Sequence, residues 1–172
     1  MARNTEIKAR IDSVEQLLPV VAALADRGPV EIDQEDVFFT CPCGRLKLRT
    51  LSADEGELIF YQRADQPGPK ESFYQIARTS TPAALHRILA QVLTETGRIR
   101  KRRILFLHGA ARIHLDRVEG LGDFIELEVV LRKEQSAEQG AAIAEELMEL
   151  LGIEAGRLIE CSYFDLQQHP RV

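Results

Sequence analysis

Glu126 and Glu128 stand two residues apart in "FIELEVV", flanked by Ile125, Leu127 and Val129. Two carboxylates at that spacing on a strand share one face. Carboxylates are hard oxygen ligands, suited to Mg2+ or Mn2+, ions that also take phosphate oxygens. A second pattern carries the opposite charge. "GRLKLR" sets Arg45, Lys47 and Arg49 on one face, with Leu46 and Leu48 on the other. Arg grips a phosphate with a planar fork, and Lys meets it as a point charge. Together the two patterns suit a phosphate chain bound beside a divalent ion.

The same alternation recurs along the chain. Asn4, Glu6, Lys8 and Arg10 alternate with residues that include Ile7 and Ala9. "ELIFYQR" sets Glu57, Ile59, Tyr61 and Arg63 opposite Leu58 and Phe60, and "RIHLD" sets Arg112, His114 and Asp116 opposite Ile113 and Leu115. In "RIRKRR" both parities are basic, so either Arg100 and Arg102 or Lys101 and Arg103 join the charged side. Glu6 can join Glu126 and Glu128 if its strand lies near theirs. One such strand ordinarily turns its charged side to water. Repetition over at least five strands favours a closed wall with a wet, charged interior. Inward Lys and Arg would repel one another there unless a polyanion sat among them.

The elements that must position these residues follow from periodicity and turn signals. "DSVEQLLPVVAALADRG" has apolar residues at helical spacing, Pro19 as a kink or limit, and Gly28 as its C-terminal stop. "EIDQEDVFFT" and "GRLKLRTL" read as strands joined at "CPCG", and "ELIFYQRAD" and "KESFYQIAR" as strands joined at "QPGP". Thr81 and Pro82 open a helix whose stripe is Leu85, Ile88, Leu89, Val92 and Leu93. Three more strands follow in "RIRKRRILFLHG", "ARIHLDRVEG" and "DFIELEVVLRK". A third helix carries a Ser136/Gln139 capping box and ends at Gly152, and "CSYFDLQQ" holds a short last one. The expected fold is α+β: an eight-stranded, mainly antiparallel sheet, eight being a number at which strands can close into a barrel, flanked by helices. Residues 1–172 are expected to form a single domain.

Composition agrees with a soluble globular chain: 45% hydrophobic and 28% charged residues, with a net charge of −5. The segment from Glu134 to Glu160 holds seven acids against one base, Arg157, so the rest of the chain is nearly neutral and its basic clusters are hidden in the total. No apolar run is long enough to span a membrane and no apolar leader precedes the first charges, so the expectation is a cytoplasmic protein. Cys41, Cys43 and Cys161 lack the paired spacing of a zinc site. His114 reads either as a substrate contact or proton carrier, or as a hydrogen-bonded barrel histidine, and no histidine has metal-site spacing. Lys70 reads as a surface lysine, with a place at the tunnel mouth as the sharper reading. "RIRKRR" lies in a strand context with few aromatics (6% overall, no Trp), which argues against nucleic acid as partner. A non-catalytic binder of nucleotide, polyphosphate or 5′-triphosphorylated RNA is a second class. Against it, an anion binder gains nothing from Glu126 and Glu128 unless metal bridges them.

The residues resemble the CYTH superfamily, the triphosphate tunnel metalloenzymes, over nearly the whole chain. The family's opening motif E-x-E-x-K is similar to "NTEIK", with Glu6 and Lys8 matched and Asn4 in place of the first Glu. Arg45, Lys47, Arg49 and Arg63 match its basic strands, and its K-x-R strand resembles "KRR", which puts Lys101 and Arg103 inside. "HLDRVEGLGDFIELE" is the most specific match, and "SYFDL" is similar to a segment of class IV adenylyl cyclase-like members. The resemblance implies an eight-stranded tunnel holding a triphosphate such as ATP, thiamine triphosphate or tripolyphosphate. It implies phosphate binding by Lys8, Arg45, Lys47, Arg49, Arg63, Lys101, Arg103 and Arg112, and catalytic roles for Lys8, Lys101 and Asp116. Mg2+ or Mn2+ would be held by Glu6, Glu126 and Glu128. Adenylyl cyclase activity and triphosphate hydrolysis are both implied, the cyclase first, and a homodimer is compatible with either. Asn offers a carbonyl oxygen without charge, so Asn4 implies a differently balanced metal site, with one ion held firmly rather than two.

Overall fold

The computed structural model describes residues 2–65 and 68–169. Gln66 and Pro67 of the expected "QPGP" turn lie outside the described residues. Eight strands form: β1 (Ala2–Arg10), β2 (Arg27–Phe39), β3 (Arg45–Thr50), β4 (Gly56–Arg63), β5 (Lys70–Thr79), β6 (Glu95–His108), β7 (Ala111–Val118) and β8 (Gly122–Val130). Every pairing is antiparallel, and the ring runs β1-β5-β4-β3-β2-β6-β7-β8 and back to β1. Closure leaves no free sheet edge and separates the two faces of every strand into wall exterior and lumen.

The exterior is apolar where helices cover it. α1 (Val14–Leu24) and α3 (Ala137–Leu150) lie against Ile7, Ala9, Ile113, Leu115, Ile125, Leu127 and Val129, all nearly inaccessible. The Ser136/Gln139 capping box is formed, and Gly140 lets α3 approach β1, since a Cβ there would meet Thr5 Oγ1 at 2.4 Å. α2 (Pro82–Val92) lays Leu85, Leu89 and Leu93 against Val37, Phe39 and Leu48. Its expected stripe is narrower than the spacing suggests, because Ile88 and Val92 are 60% and 71% exposed.

The first helix also ends earlier than expected. Its last turn closes at Ala25, and the chain enters β2 at Arg27, paired with Leu107. Gly28 is therefore a strand residue rather than a helix stop. Its φ of +120° and its closeness to the Leu105 carbonyl exclude a side chain there. Pro19 sits inside α1 without ending it.

A fourth helix, α4 (Tyr163–Gln168), decides the shape of the lumen. At one end of the barrel the inward residues Phe38, Ile99, Val118 and Phe124 are apolar, and Tyr163 and Leu166 of α4 pack among them. Phe164 stacks on Phe38 with ring centroids 5.0 Å apart. Gly97 makes room for it, since a Cβ there would lie 2.4 Å from the Phe164 ring. One end of the expected wet tunnel is thus filled by hydrocarbon, and the charged stretch lies beyond it.

Candidate active site

The charged stretch is a cavity of ≈ 140 Å³ enclosed by the barrel wall. Strand parity decides who reaches it. On β6, Lys101 and Arg103 are buried and line the cavity, whereas Arg100 and Arg102 are exposed. β1 contributes Asn4, Glu6 and Lys8; β3 contributes Lys47 and Arg49; β4 contributes Ile59, Tyr61 and Arg63. β7 contributes Arg112, β8 contributes Glu126 and Glu128, and β2 contributes Asp36 and Phe38.

The inward cations do not stand unpaired, as the sequence reading expects. Each basic pair has its own carboxylate. Asp36 on β2 accepts from Lys47 Nζ at 2.7 Å and Arg49 Nε at 3.0 Å. Asp116 accepts from Arg103 twice at 2.7 Å and from Lys101 Nζ at 3.0 Å. Arg63 donates to Glu6, and Lys8 lies 3.8 Å from Glu126. Burial alone would push the Asp36 and Asp116 carboxyls up. Arg49 and Lys47 at the first, and Arg103 and Lys101 at the second, overcome it and hold both well below the usual carboxylate range. Burial lowers Lys47 to about 8, against the pull of Asp36.

Two expected site residues stand apart from the cavity. Arg45 is bound by Asp65 at 2.7 Å and Asp165 at 2.9 Å, which ties β3 to α4. Asp116 lies behind the lining, with no exposed surface. Lys70 is not a surface lysine: it is 1% exposed, and its Nζ donates to the carbonyls of Ile159 and Glu160.

Several site residues escape the sequence reading. Asp36 is hidden because "DQED" carries acids on both parities; its signal is the alternation of Asp36 and Phe38 with Val37 and Phe39. Tyr163 comes from α4, far along the chain. Its hydroxyl donates to Asp116 at 2.9 Å, and its ring lies 4.1 Å from Lys8 Nζ and 4.9 Å from Lys101 Nζ. Burial, then Asp116, pushes the phenol well above its ordinary range, so it stays a neutral donor.

The acidic side of the cavity has the chemistry of a cation site. Glu6 and Glu128 are cross-strand partners, as are Lys8 and Glu126. Burial and then Glu126 raise the Glu128 carboxyl, whereas Lys8, Arg103 and Lys101 hold Glu126 well below its ordinary range in spite of burial. Ligand atoms of His114, Glu126 and Glu128 lie within 4.8 Å of one another. Burial and then Arg103 push His114 well below the usual imidazole value, so the ring is neutral. Buried polar atoms without a hydrogen-bond partner include Asn4 Oδ1, His114 Nδ1, and Arg63 Nε and Nη2. The first two can accept a cation and the last two can donate to an anion. The donor set therefore fits a divalent ion next to phosphate oxygens. Cys41, Cys43 and Cys161 are free thiols, and no cysteine joins a group able to hold a metal among the described residues. No described helix is long and apolar enough to cross a membrane.

A closed antiparallel barrel with a lumen of paired cations and clustered carboxylates defines a charged β-tunnel protein. The CYTH domain family model matches residues 2–163, and the chain belongs to that family. Similar solved structures include a protein from Pyrococcus horikoshii OT3, at 22% identity and a TM-score of 0.85, covering 95% of this chain and 98% of that one. A protein from Vibrio parahaemolyticus, described as a candidate adenylate cyclase, has 18% identity and a TM-score of 0.80, with 96% and 97% covered. One from Hippeastrum, described as a candidate adenylyl cyclase with a dominant triphosphatase activity, has 14% identity and a TM-score of 0.69, with 100% and 97% covered. Searching the curated proteins finds no match. At these identities the likenesses show the fold alone.

Proposed function

We propose that this protein is a divalent-metal-dependent enzyme that cleaves a triphosphate held in the barrel. The observation that carries the reading is the division of the cavity wall. Lys47 and Arg49 on β3 and Lys101 and Arg103 on β6 stand on either side of β2, each pair fixed by one carboxylate, while Glu126 and Glu128 cluster on β8. Seven cations line the cavity (Lys8, Lys47, Arg49, Arg63, Lys101, Arg103, Arg112) against four lining carboxylates (Glu6, Asp36, Glu126, Glu128) and Asp116 just behind them. That surplus, raised further by a divalent ion, balances a triphosphate in a setting where unbalanced charge is costly.

In this reading Lys47, Arg49, Arg63, Arg103 and Arg112 hold phosphate oxygens, and Lys8 and Lys101 stabilise the charge that develops at the cleaved bond. Asp116 acts through Arg103 and Lys101 and is a positioning residue. Glu126 and Glu128, with Glu6 beside Glu128, hold the ion, Mg2+ or Mn2+. Bound there, it would neutralise phosphate charge and lower the pKa of the attacking hydroxyl or water.

The first assignment is the class IV adenylyl cyclase-like reaction. The ribose 3′-hydroxyl of ATP gives up its proton to water or the leaving pyrophosphate as its oxygen bonds to the α-phosphorus, the bond from that phosphorus to the oxygen bridging to the β-phosphate breaks, and cAMP and pyrophosphate leave. It rests on the "EGLGDFIELE" and "SYFDL" segments, of which the second supplies Tyr163 to the cavity. A second reading, hydrolysis of tripolyphosphate, thiamine triphosphate or a nucleotide, is favoured by the charged wall. Phe38 is stacked on Phe164 and Tyr163 is packed on Phe124, which leaves Tyr61 and Tyr74 as the lining rings an adenine could meet, whereas the charged wall suits the phosphate chain common to all triphosphates.

Product analysis with ATP, thiamine triphosphate and tripolyphosphate, each with Mg2+ or Mn2+, separates the readings. cAMP with pyrophosphate supports the cyclase, and orthophosphate supports the hydrolase. Tight, metal-dependent binding without turnover would sink both and leave a binding protein.

A further inference from the structure

We propose that His114 is a direct metal ligand through Nδ1, which makes this a mixed nitrogen–oxygen site selective for Mn2+ and related transition ions over Mg2+. The inference rests on the metal-dependent reading above and sharpens its ion. His114 is the cross-strand partner of Glu126, and Glu128 lies two residues further along β8. Nδ1 is 3.8 Å from Glu128 Oε1, too far for a hydrogen bond but a separation that two ligands of one ion adopt. The side chain is 5% exposed, and Nδ1 has no hydrogen-bond partner. An imidazole nitrogen buried without a partner costs free energy unless something accepts its lone pair.

The third carboxylate of the cluster is less available. Glu6 stands opposite Glu128, but Arg63 engages it. The set that converges is therefore one imidazole and two carboxylates. His114 does not line the cavity, so it meets Glu126 and Glu128 from the wall side and leaves the lumen side of an ion open to phosphate oxygens or water. Mg2+ keeps to oxygen ligands, whereas Mn2+, Co2+ and Zn2+ accept imidazole readily.

The test uses the intact protein. Pulsed electron paramagnetic resonance of the Mn2+-loaded chain is expected to show a directly coordinated 14N nucleus. Calorimetric titrations are expected to show Mn2+ binding about tenfold or more tighter than Mg2+. In His114→Ala and His114→Gln the Mn2+ affinity should drop about tenfold or more, with Mg2+ affinity changed less than about twofold. Mn2+ bound without nitrogen coupling, at an affinity the variants leave unchanged, would overturn the ligand role and leave the triphosphate reading standing. No divalent binding, with or without tripolyphosphate, would overturn both. The wild-type spectrum decides the matter even if a variant fails to fold.

Discussion

Arg103 on β6 and Asp116 on β7 are cross-strand partners joined by two parallel hydrogen bonds of 2.7 Å, Nε to Oδ1 and Nη2 to Oδ2. Lys101 and the Tyr163 hydroxyl also donate to Oδ2, at 3.0 and 2.9 Å. With no surface of its own, Asp116 holds two cations and one phenol in fixed places. It is the point where β6, β7 and α4 are joined below the cavity floor.

Asp116→Asn removes the counter-charge of two buried cations. The expected loss is about 3–5 kcal/mol of stability, read as a fall in the urea midpoint. Triphosphate KM should rise in the fraction that folds, because Arg103 and Lys101 lose their common anchor. An unchanged midpoint would show that the pairs carry no net weight.

The low pKa of Lys47, about 8, sets a basic limb. Below pH 8 the amine is charged and attracts phosphate; above it the charge is lost. kcat/KM for the triphosphate should therefore fall as pH rises through about 8. Lys70 also lies at about 8, under burial and then Arg63, so the variant decides the origin. Lys47→Arg keeps its charge and should flatten the limb. A wild-type profile level to pH 10 would dismiss the assignment.

Glu128 predicts a trade between stability and metal binding. Its folded pKa is raised by burial and then by Glu126, so its contribution to stability is fully present below the unfolded value and is lost as pH rises through the folded one. Glu128→Gln should raise the metal-free Tm at pH 7 by about 2–4 °C for each kcal/mol of strain removed, a gain that vanishes near pH 4. The same variant should lose divalent binding. A lower Tm at pH 7 would contradict the repulsion argument.

Gly97 tests the apolar plug. In Gly97→Ala the new methyl meets the Phe164 ring at 2.4 Å, and Phe164 is held by its stack on Phe38. Displacement of α4 should cost about 1–3 kcal/mol and should raise KM through the loss of Tyr163 from the cavity. Equal stability with unaltered kinetics would show that α4 is dispensable to the site.

The division between chain and fold is visible in individual residues. Alternation alone placed Lys47 with Arg49, and Glu126 with Glu128, on common faces, because successive side chains on a strand must point to opposite sides. The Ser136/Gln139 box, Pro82 at the first turn and Gly152 after α3 are equally local, since each answers a backbone need within a few residues. In "RIRKRR" periodicity left two equivalent parities, and resemblance to the family had to choose between them. His114 opposite Glu126 and Asp36 opposite Arg49 depend on the register of two consecutive strand pairs, and only the closed ring set Glu6 opposite Glu128. Only the return of the chain end brought Tyr163 to Asp116, and Ile159 and Glu160 to Lys70. The long-range ones depend on strand order between segments far apart in sequence, and all depend on register, where a shift of one residue would reverse every face. The sequence by itself determined which side chains share a strand face. The ion-holding trio meets on one pair of consecutive strands, and closure of the eighth strand on the first adds Glu6 and Lys8 and turns the inward faces of all eight strands onto one cavity.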